Sequence, residues 1–164
     1  MVKAVIFDLW NTLVYASTYE TTLEIARKYP FPSDFDANVF LTKTVEPLMT
    51  ADHDIEKEFF AEFFSSWGTE ISEGELEDLS RLWKCRLDDA KVFAETEDVL
   101  NVLGETYQLG LLSNLTCHAL NVFQSRFDLE RHFRHTIYSC VEGVMKPDKE
   151  IFEIALNRFG IEPG

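Results

Sequence analysis

The chain has 164 residues, enough for one domain with a real core, or a core plus a small insert. Apolar residues make up an ordinary 46%, but 15 basic against 29 acidic side chains give a net charge of −14. Such a surface repels nucleic acid and anionic membrane, so neither is an expected partner, and a site for an anionic substrate must be built locally.

Residues 3–8 read as a first strand, apolar from Ala4 to Phe7, as in a strand covered on both faces. Residues 16–29 follow as a helix, broken by Pro30 and Pro32. Ser33 with Asp36 resembles a capping pair for a second helix running to Met49. Residues 52–67 form a third helix, in which Ile55, Phe59, Phe60, Phe63, Phe64 and Trp67 recur at helical spacing. Those rings suit a helix–helix seam better than a substrate pocket. Ser72 with Glu75 forms a capping box for a fourth helix, whose apolar stripe is Leu76, Leu79, Trp83 and Leu87. About four helices therefore follow one another with no strand between them. The pattern then changes. Helices are expected over 96–106, 116–126 and 149–159, with strands at 109–112 and 136–139. Strand alternating with helix implies βαβ crossovers and a parallel sheet.

Cys85, Cys117 and Cys140 include no C-x-x-C pair, so each is expected as a small buried hydrophobe in a reducing cytoplasm. No run of about 18 apolar residues exists, and the N-terminus lacks the basic-then-apolar layout of a signal peptide.

Three strand ends carry polar residues: Asp8, then Ser113 with Asn114, and Lys146 just beyond the third strand. In a parallel sheet these ends converge on one crevice, where ligands bind. A carboxylate there can act as a nucleophile or a metal ligand. The Ser113 hydroxyl can donate to an oxygen of the transferring group, and Lys146 can neutralise charge on Asp8 and on the transition state. Thr12 can fix the loop or the carboxylate. Singly these are commonplace residues, since an Asp after a strand is often a turn residue and a Ser-Asn pair a helix cap. Their joint spacing carries the reading. His118, just after the second cluster, is expected as a solvated residue in the first turn of a helix.

The joint pattern resembles the haloacid dehalogenase (HAD) superfamily of hydrolases. Phe7-Asp8-Leu9-Trp10-Asn11-Thr12-Leu13 is similar to its first motif, Leu111-Leu112-Ser113-Asn114 to its second, and the stretch from Val144 to Phe152 around Lys146-Pro147-Asp148 to its third. The resemblance implies an α/β fold: a three-layer, Rossmann-like parallel sheet core with an inserted all-helical cap. Residues 1–15 and 91–164 would form the core and residues 16–90 the cap. It implies a hydrolase with Asp8 as nucleophile and Thr12, Ser113 and Lys146 as its catalytic partners. Trp10, Asn11 and Asn114 would meet the substrate. Magnesium would take Asp8 and the main-chain carbonyl of Trp10 as part of its shell. The expected substrate is a small organic phosphate, with a 2-haloacid as the lesser option.

The chain departs from the family pattern in two ways. The position two residues after the nucleophile, an Asp general acid in most phosphatases of this family, is Trp10. The dehalogenase branch also has an aromatic residue there. Yet its usual Tyr six residues after the lysine is Phe152, and residues 28–80 hold no Arg to face a carboxylate or halide. Secondly, the acidic cluster of the fourth motif is missing before the sequence closes at Ile161-Glu162-Pro163-Gly164. A truncated form would have an incomplete magnesium site and impaired activity, and could serve as an inactive binding or assembly module. It would also leave the first strand as an exposed edge. A homodimer, an exchanged element, or a covering by the chain's own cap or terminus is then expected.

Overall fold

The computed structural model describes residues 2–29, 31, 33–40 and 45–162. Pro30 and Pro32, the middle of the expected second helix (41–44) and the final residues 163–164 lie outside the described residues.

The sheet has three parallel strands: β1 (Ala4–Phe7), β4 (Gln108–Ser113) and β5 (His135–Tyr138), in the order β1-β4-β5. Strand β4 is buried almost throughout because both neighbours and both faces are covered. Its side chains alternate between two apolar clusters. Leu109 and Leu111 join Leu100 of α6 (Thr96–Gly104) and Phe123 of α7 (Cys117–Arg126). Leu112 joins Ile137, together with Ile151 and Ala155 of α9 (Lys149–Phe159). Helices thus cover both faces of the sheet, in three layers. Gly110 permits close packing at the centre: a Cβ there would lie 2.6 Å from the Phe159 ring. Strand β1 has β4 on one side and no strand on the other among the described residues, and Ile6 is 38% exposed.

Two short strands that the sequence pattern did not reveal, β2 (Val14–Tyr15) and β3 (Lys91–Val92), pair antiparallel. Two residues each are too few for a periodic signal. They bring the two ends of the intervening helical stretch together. That stretch holds α1 (Thr18–Lys28), α2 (Ala37–Val39), α3 (Glu46–Thr50), α4 (Glu56–Ser66) and α5 (Glu73–Cys85). Helix α1 stops at Tyr29, whose extended backbone is the conformation demanded of a residue before proline. The expected helix from the Ser33–Asp36 cap to Met49 is not continuous among the described residues, where α2 and α3 are separate. Asp36, not Ser33, caps α2 by accepting from the Asn38 and Val39 N–H groups. Pro47 in the first turn of α3 starts a new helix, because proline is tolerated there and not in a helix interior. The capping box at Ser72 and Glu75 forms as expected.

The helical stretch has its own apolar cluster. Phe59, Phe60 and Phe64 pack with Phe40, Leu79 and Trp83, several of them edge to face. The phenylalanines of α4 therefore form an internal seam. The last short helix, α8 (Ser139–Glu142), takes Ser139 from the expected third strand. Its hydroxyl accepts from the Leu115 N–H at 3.0 Å, which ties α8 to the loop after β4.

Among the described residues no helix is long and apolar enough to cross a membrane. The three cysteines are free thiols; Cys140 is buried, but Cys85 is exposed at the end of α5, contrary to the expectation for it. Its position on the outer side of an amphipathic helix explains the difference.

Candidate active site

Asp8 follows β1 directly, and the loop behind it is a compact knot around one carbonyl. The Leu9 carbonyl accepts from the N–H groups of Thr12, Leu13 and Val14 at 3.3, 2.9 and 3.0 Å. Leu9 and Leu13 are buried anchors. Asn11 takes a left-handed backbone, φ 58°, a conformation that asparagine tolerates better than most residues. The Thr96 hydroxyl donates to the Leu13 carbonyl at 2.9 Å and pins the knot to α6. In this motif Leu9 and Leu13 are thus the anchors, and Asp8, Trp10 and Asn11 are turned to the crevice.

Lys146 arrives from the far end of the chain. Its Nζ donates to Asp8 Oδ1 at 2.7 Å and to the Leu112 carbonyl at 3.0 Å. The Leu9 N–H donates to the same Oδ1 at 2.8 Å. Oδ2 has no hydrogen-bond donor among the described residues, so one carboxylate oxygen is held and the other is available. Asn114 locks the lysine from behind. Its Nδ2 donates to the Lys146 carbonyl and its Oδ1 accepts from the Lys146 N–H, both at 2.8 Å. Asn114 was expected at the substrate; both ends of its amide are occupied in positioning Lys146.

A cavity of about 420 Å³ opens over this pair, within the range of small-molecule sites. Asp8, Trp10, Asn11, Asn114 and Lys146 line it from the sheet side, Thr18, Tyr19 and Met49 from the helical stretch. None of the α4 phenylalanines does. A smaller groove on the other side of Asp8 and Lys146 is apolar, walled by Ile6, Phe7, Leu112 and Phe152.

Two expected catalytic residues sit differently. Thr12 is exposed and outside the cavity wall, and its hydroxyl makes no hydrogen bond among the described residues. The Leu9 knot turns it outward. Ser113 ends β4 at the right level, but it is fully buried, its hydroxyl has no partner, and it is not part of the cavity wall.

Among the wall residues that the sequence reading did not single out is a cation, Arg86, just past the end of α5. It is 5% exposed and stacks 3.8 Å over the Trp83 ring. Its Nη1 donates to the Trp83 carbonyl at 2.7 Å. Burial pushes its pKa down to about 9, which leaves it charged at neutral pH. The available signal was its place three residues after Trp83, a charge on an apolar stripe. His118 is half-buried, and burial, then nearby Lys84, holds its pKa below the usual imidazole value. The expectation of a solvated imidazole fails because α7 starts beneath the helical stretch, where the Cys117 thiol reaches the Ala51 carbonyl at 3.4 Å.

A sequence profile of haloacid dehalogenase-like hydrolases matches residues 2–164. The chain belongs to that family of hydrolases. Solved HAD structures share its fold. A HAD family enzyme from Bacteroides thetaiotaomicron, in complex with magnesium and inorganic phosphate, is 20% identical, with a TM-score of 0.66 over 99% of this chain and 81% of that one. A protein from Haemophilus somnus described as a predicted phosphoglycolate phosphatase is 16% identical, with a TM-score of 0.60 over 98% and 72%. L-2-haloacid dehalogenase from Xanthobacter autotrophicus, with chloropropionic acid covalently bound, is 20% identical, with a TM-score of 0.59 over 100% and 67%. At these identities the likeness is one of fold. No curated protein matches the sequence.

The magnesium seen in the Bacteroides enzyme has only a partial counterpart among the described residues of this HAD chain. No three acidic, histidine or cysteine side chains cluster as ligands, and Asp8 is the single carboxylate on the cavity wall. The Trp10 carbonyl accepts no hydrogen bond among the described residues and could add one oxygen. Magnesium favours near-ideal octahedral geometry with one or two carboxylates, so these residues alone do not make a fitting site.

Proposed function

We propose that this chain hydrolyses a small organic phosphate through an aspartyl-phosphate on Asp8. The observation that carries the reading is the contact between Asp8 and Lys146, 138 residues apart in sequence and 2.7 Å apart at the floor of the cavity. Asp8 Oδ2 attacks phosphorus, a P–O bond forms, and the ester P–O bond breaks. The alkoxide leaves with a proton taken from water, since Trp10 has none to give. Water then attacks phosphorus, inorganic phosphate departs, and the carboxylate is regenerated. Lys146 holds Oδ1 and balances charge on the transferring group, and Asn114 holds Lys146. The Ser113 hydroxyl, enclosed behind the cavity wall with no partner among the described residues, becomes a donor to a phosphoryl oxygen once the arriving group uncovers it. A missing general acid costs roughly 10²–10⁴-fold, so turnover is slow and best with good leaving groups.

In this reading residues 1–15 and 91–164 form the catalytic core, and residues 16–90 the cap that selects substrate. The separate apolar cluster of the helical stretch supports the division. The protein works in a reducing cytoplasm, and a second copy covers the open edge of β1. Phosphate release from an aryl phosphate, with and without magnesium, tests the chemistry. Release by the wild type and its loss in Asp8→Asn are expected; release that persists in Asp8→Asn removes the nucleophile assignment. Release of halide from a 2-haloacid without metal would move the chain to the dehalogenase branch. A second, non-enzymatic reading, an assembly module joined through β1, is favoured by Trp10 and by the single wall carboxylate. It predicts neither phosphate nor halide release.

A further inference from the structure

Arg86 is more deeply buried than its known contacts explain. Its place at the end of α5 suits a cation, because helix C-termini carry partial negative charge, and Nη1 satisfies the Trp83 carbonyl there. The rest of the guanidinium is unaccounted for. Nε is enclosed and has no acceptor, and Nη2 makes no hydrogen bond among the described residues. No carboxylate of the described residues lies within ion-pair distance. The nearest buried acid on the neighbouring helix, Glu56, approaches Lys84 instead, at 3.6 Å, and leaves its own Oε1 unpartnered. Glu56 acts on Arg86 only through space, without direct contact, and a buried charge with no contacting counter-ion is unfavourable for a group that sheds its proton as reluctantly as arginine.

The cavity gives this charge a purpose. Its wall carries two cations, Lys146 and Arg86, and one carboxylate, Asp8, which Lys146 already pairs. The hollow is therefore locally positive in a chain of net charge −14. Lys146 faces the reacting centre from the sheet side. Arg86 faces the same space from the helical stretch, and is rigid because it stacks on Trp83. We infer that Arg86 is a specificity residue that grips a carboxylate on the non-reacting end of the substrate, so that the substrates are phosphate esters of small hydroxy acids. A planar guanidinium with unused donors matches a planar carboxylate better than it matches a hydroxyl or an apolar group. Both cations share a cavity of about 420 Å³, which suits a small molecule. The inference rests on reading the cavity as the substrate site, and extends that reading from a reaction to a substrate class.

The test separates recognition from chemistry by using binding alone. Phosphoglycolate and its neutral counterpart, 2-hydroxyethyl phosphate, are titrated calorimetrically into the Asp8→Asn protein. The carboxylate ligand is expected to bind about tenfold to a hundredfold more tightly, the range for a hydrogen bond to a charged group. In Asp8→Asn combined with Arg86→Gln that ratio should fall to about one. With Arg86→Lys, which keeps a cation but loses the planar fork, it should be intermediate, and this variant serves if the glutamine protein does not fold. Equal affinities in Asp8→Asn, no binding of either ligand, or a preference that survives removal of Arg86, would each overturn the inference. Phosphate release by the wild type is measured separately. Preference for the carboxylate without turnover would uphold Arg86 and defeat the proposed reaction; turnover without preference would do the reverse.

Discussion

Replacing Ser113 with alanine separates what its hydroxyl does for folding from what it does for chemistry. The side chain is fully buried at the end of β4 and its oxygen has no partner. An unsatisfied buried polar group costs about 1–3 kcal/mol. Alanine removes that group and leaves a single-atom void, which at about 24 cal/mol per Å³ costs well under 1 kcal/mol. The variant should therefore be as stable as the wild type or up to about 2 kcal/mol more stable, a rise of about 2–4 °C in Tm per kcal/mol for a chain of this size. Catalysis should move the other way. Loss of one donor to the transferring group costs about 10²–10³ in kcat. Urea unfolding with an unchanged m-value, alongside phosphate release kinetics, reads both quantities on one preparation. Destabilisation by more than about 1 kcal/mol would mean that the hydroxyl has a structural partner after all. Activity within threefold of the wild type, using about a threefold error margin, would remove Ser113 from the reaction.

Gly110→Ala should destabilise by about 1–3 kcal/mol, because the new Cβ would meet the Phe159 ring at 2.6 and 2.7 Å and push α9 off the sheet; a denaturant midpoint equal to that of the wild type would show that the ring yields freely. Burial lowers the His118 pKa in the folded state, so the unfolded chain binds the proton first on acidification. Its contribution is present above about pH 6.5 and is lost as pH falls through the interval down to the folded value. Unfolding curves of wild type and His118→Gln should converge or cross over that interval, whereas parallel curves would mean that burial is not acting on the imidazole. The charged groups facing His118 are Lys84, Asp54, Glu56 and Arg86. The open edge of β1, with Val2 63% and Ile6 38% exposed, should drive concentration-dependent self-association that Ile6→Lys abolishes; a wild type that elutes as a monomer at every concentration would contradict this.

Much of the fold was legible because its signals are local. The apolar run of β1 and the Ser72–Glu75 capping box depend on residues within one or two turns of each other. The α9 stripe, Ile151, Ala155 and Phe159, is equally local. The expected second helix failed where a local signal was overlooked, Pro47 in a first turn. The β2–β3 ribbon failed for a different reason, since its two-residue strands exist only through pairing of residues far apart in sequence, Val14 with Val92 and Tyr15 with Lys91.

The site divides along the same line. The sequence by itself determined that a carboxylate, a hydroxyl and an ammonium group follow three strand ends, because strand period and turn chemistry are properties of short segments. Tertiary structure decided what those groups touch. It set Lys146 against Asp8, occupied both ends of the Asn114 amide, enclosed Ser113 without a partner, turned Thr12 outward and buried Arg86 on the cavity wall. Burial and charge pairing depend on which faces meet after packing, and spacing along a chain does not encode that distance.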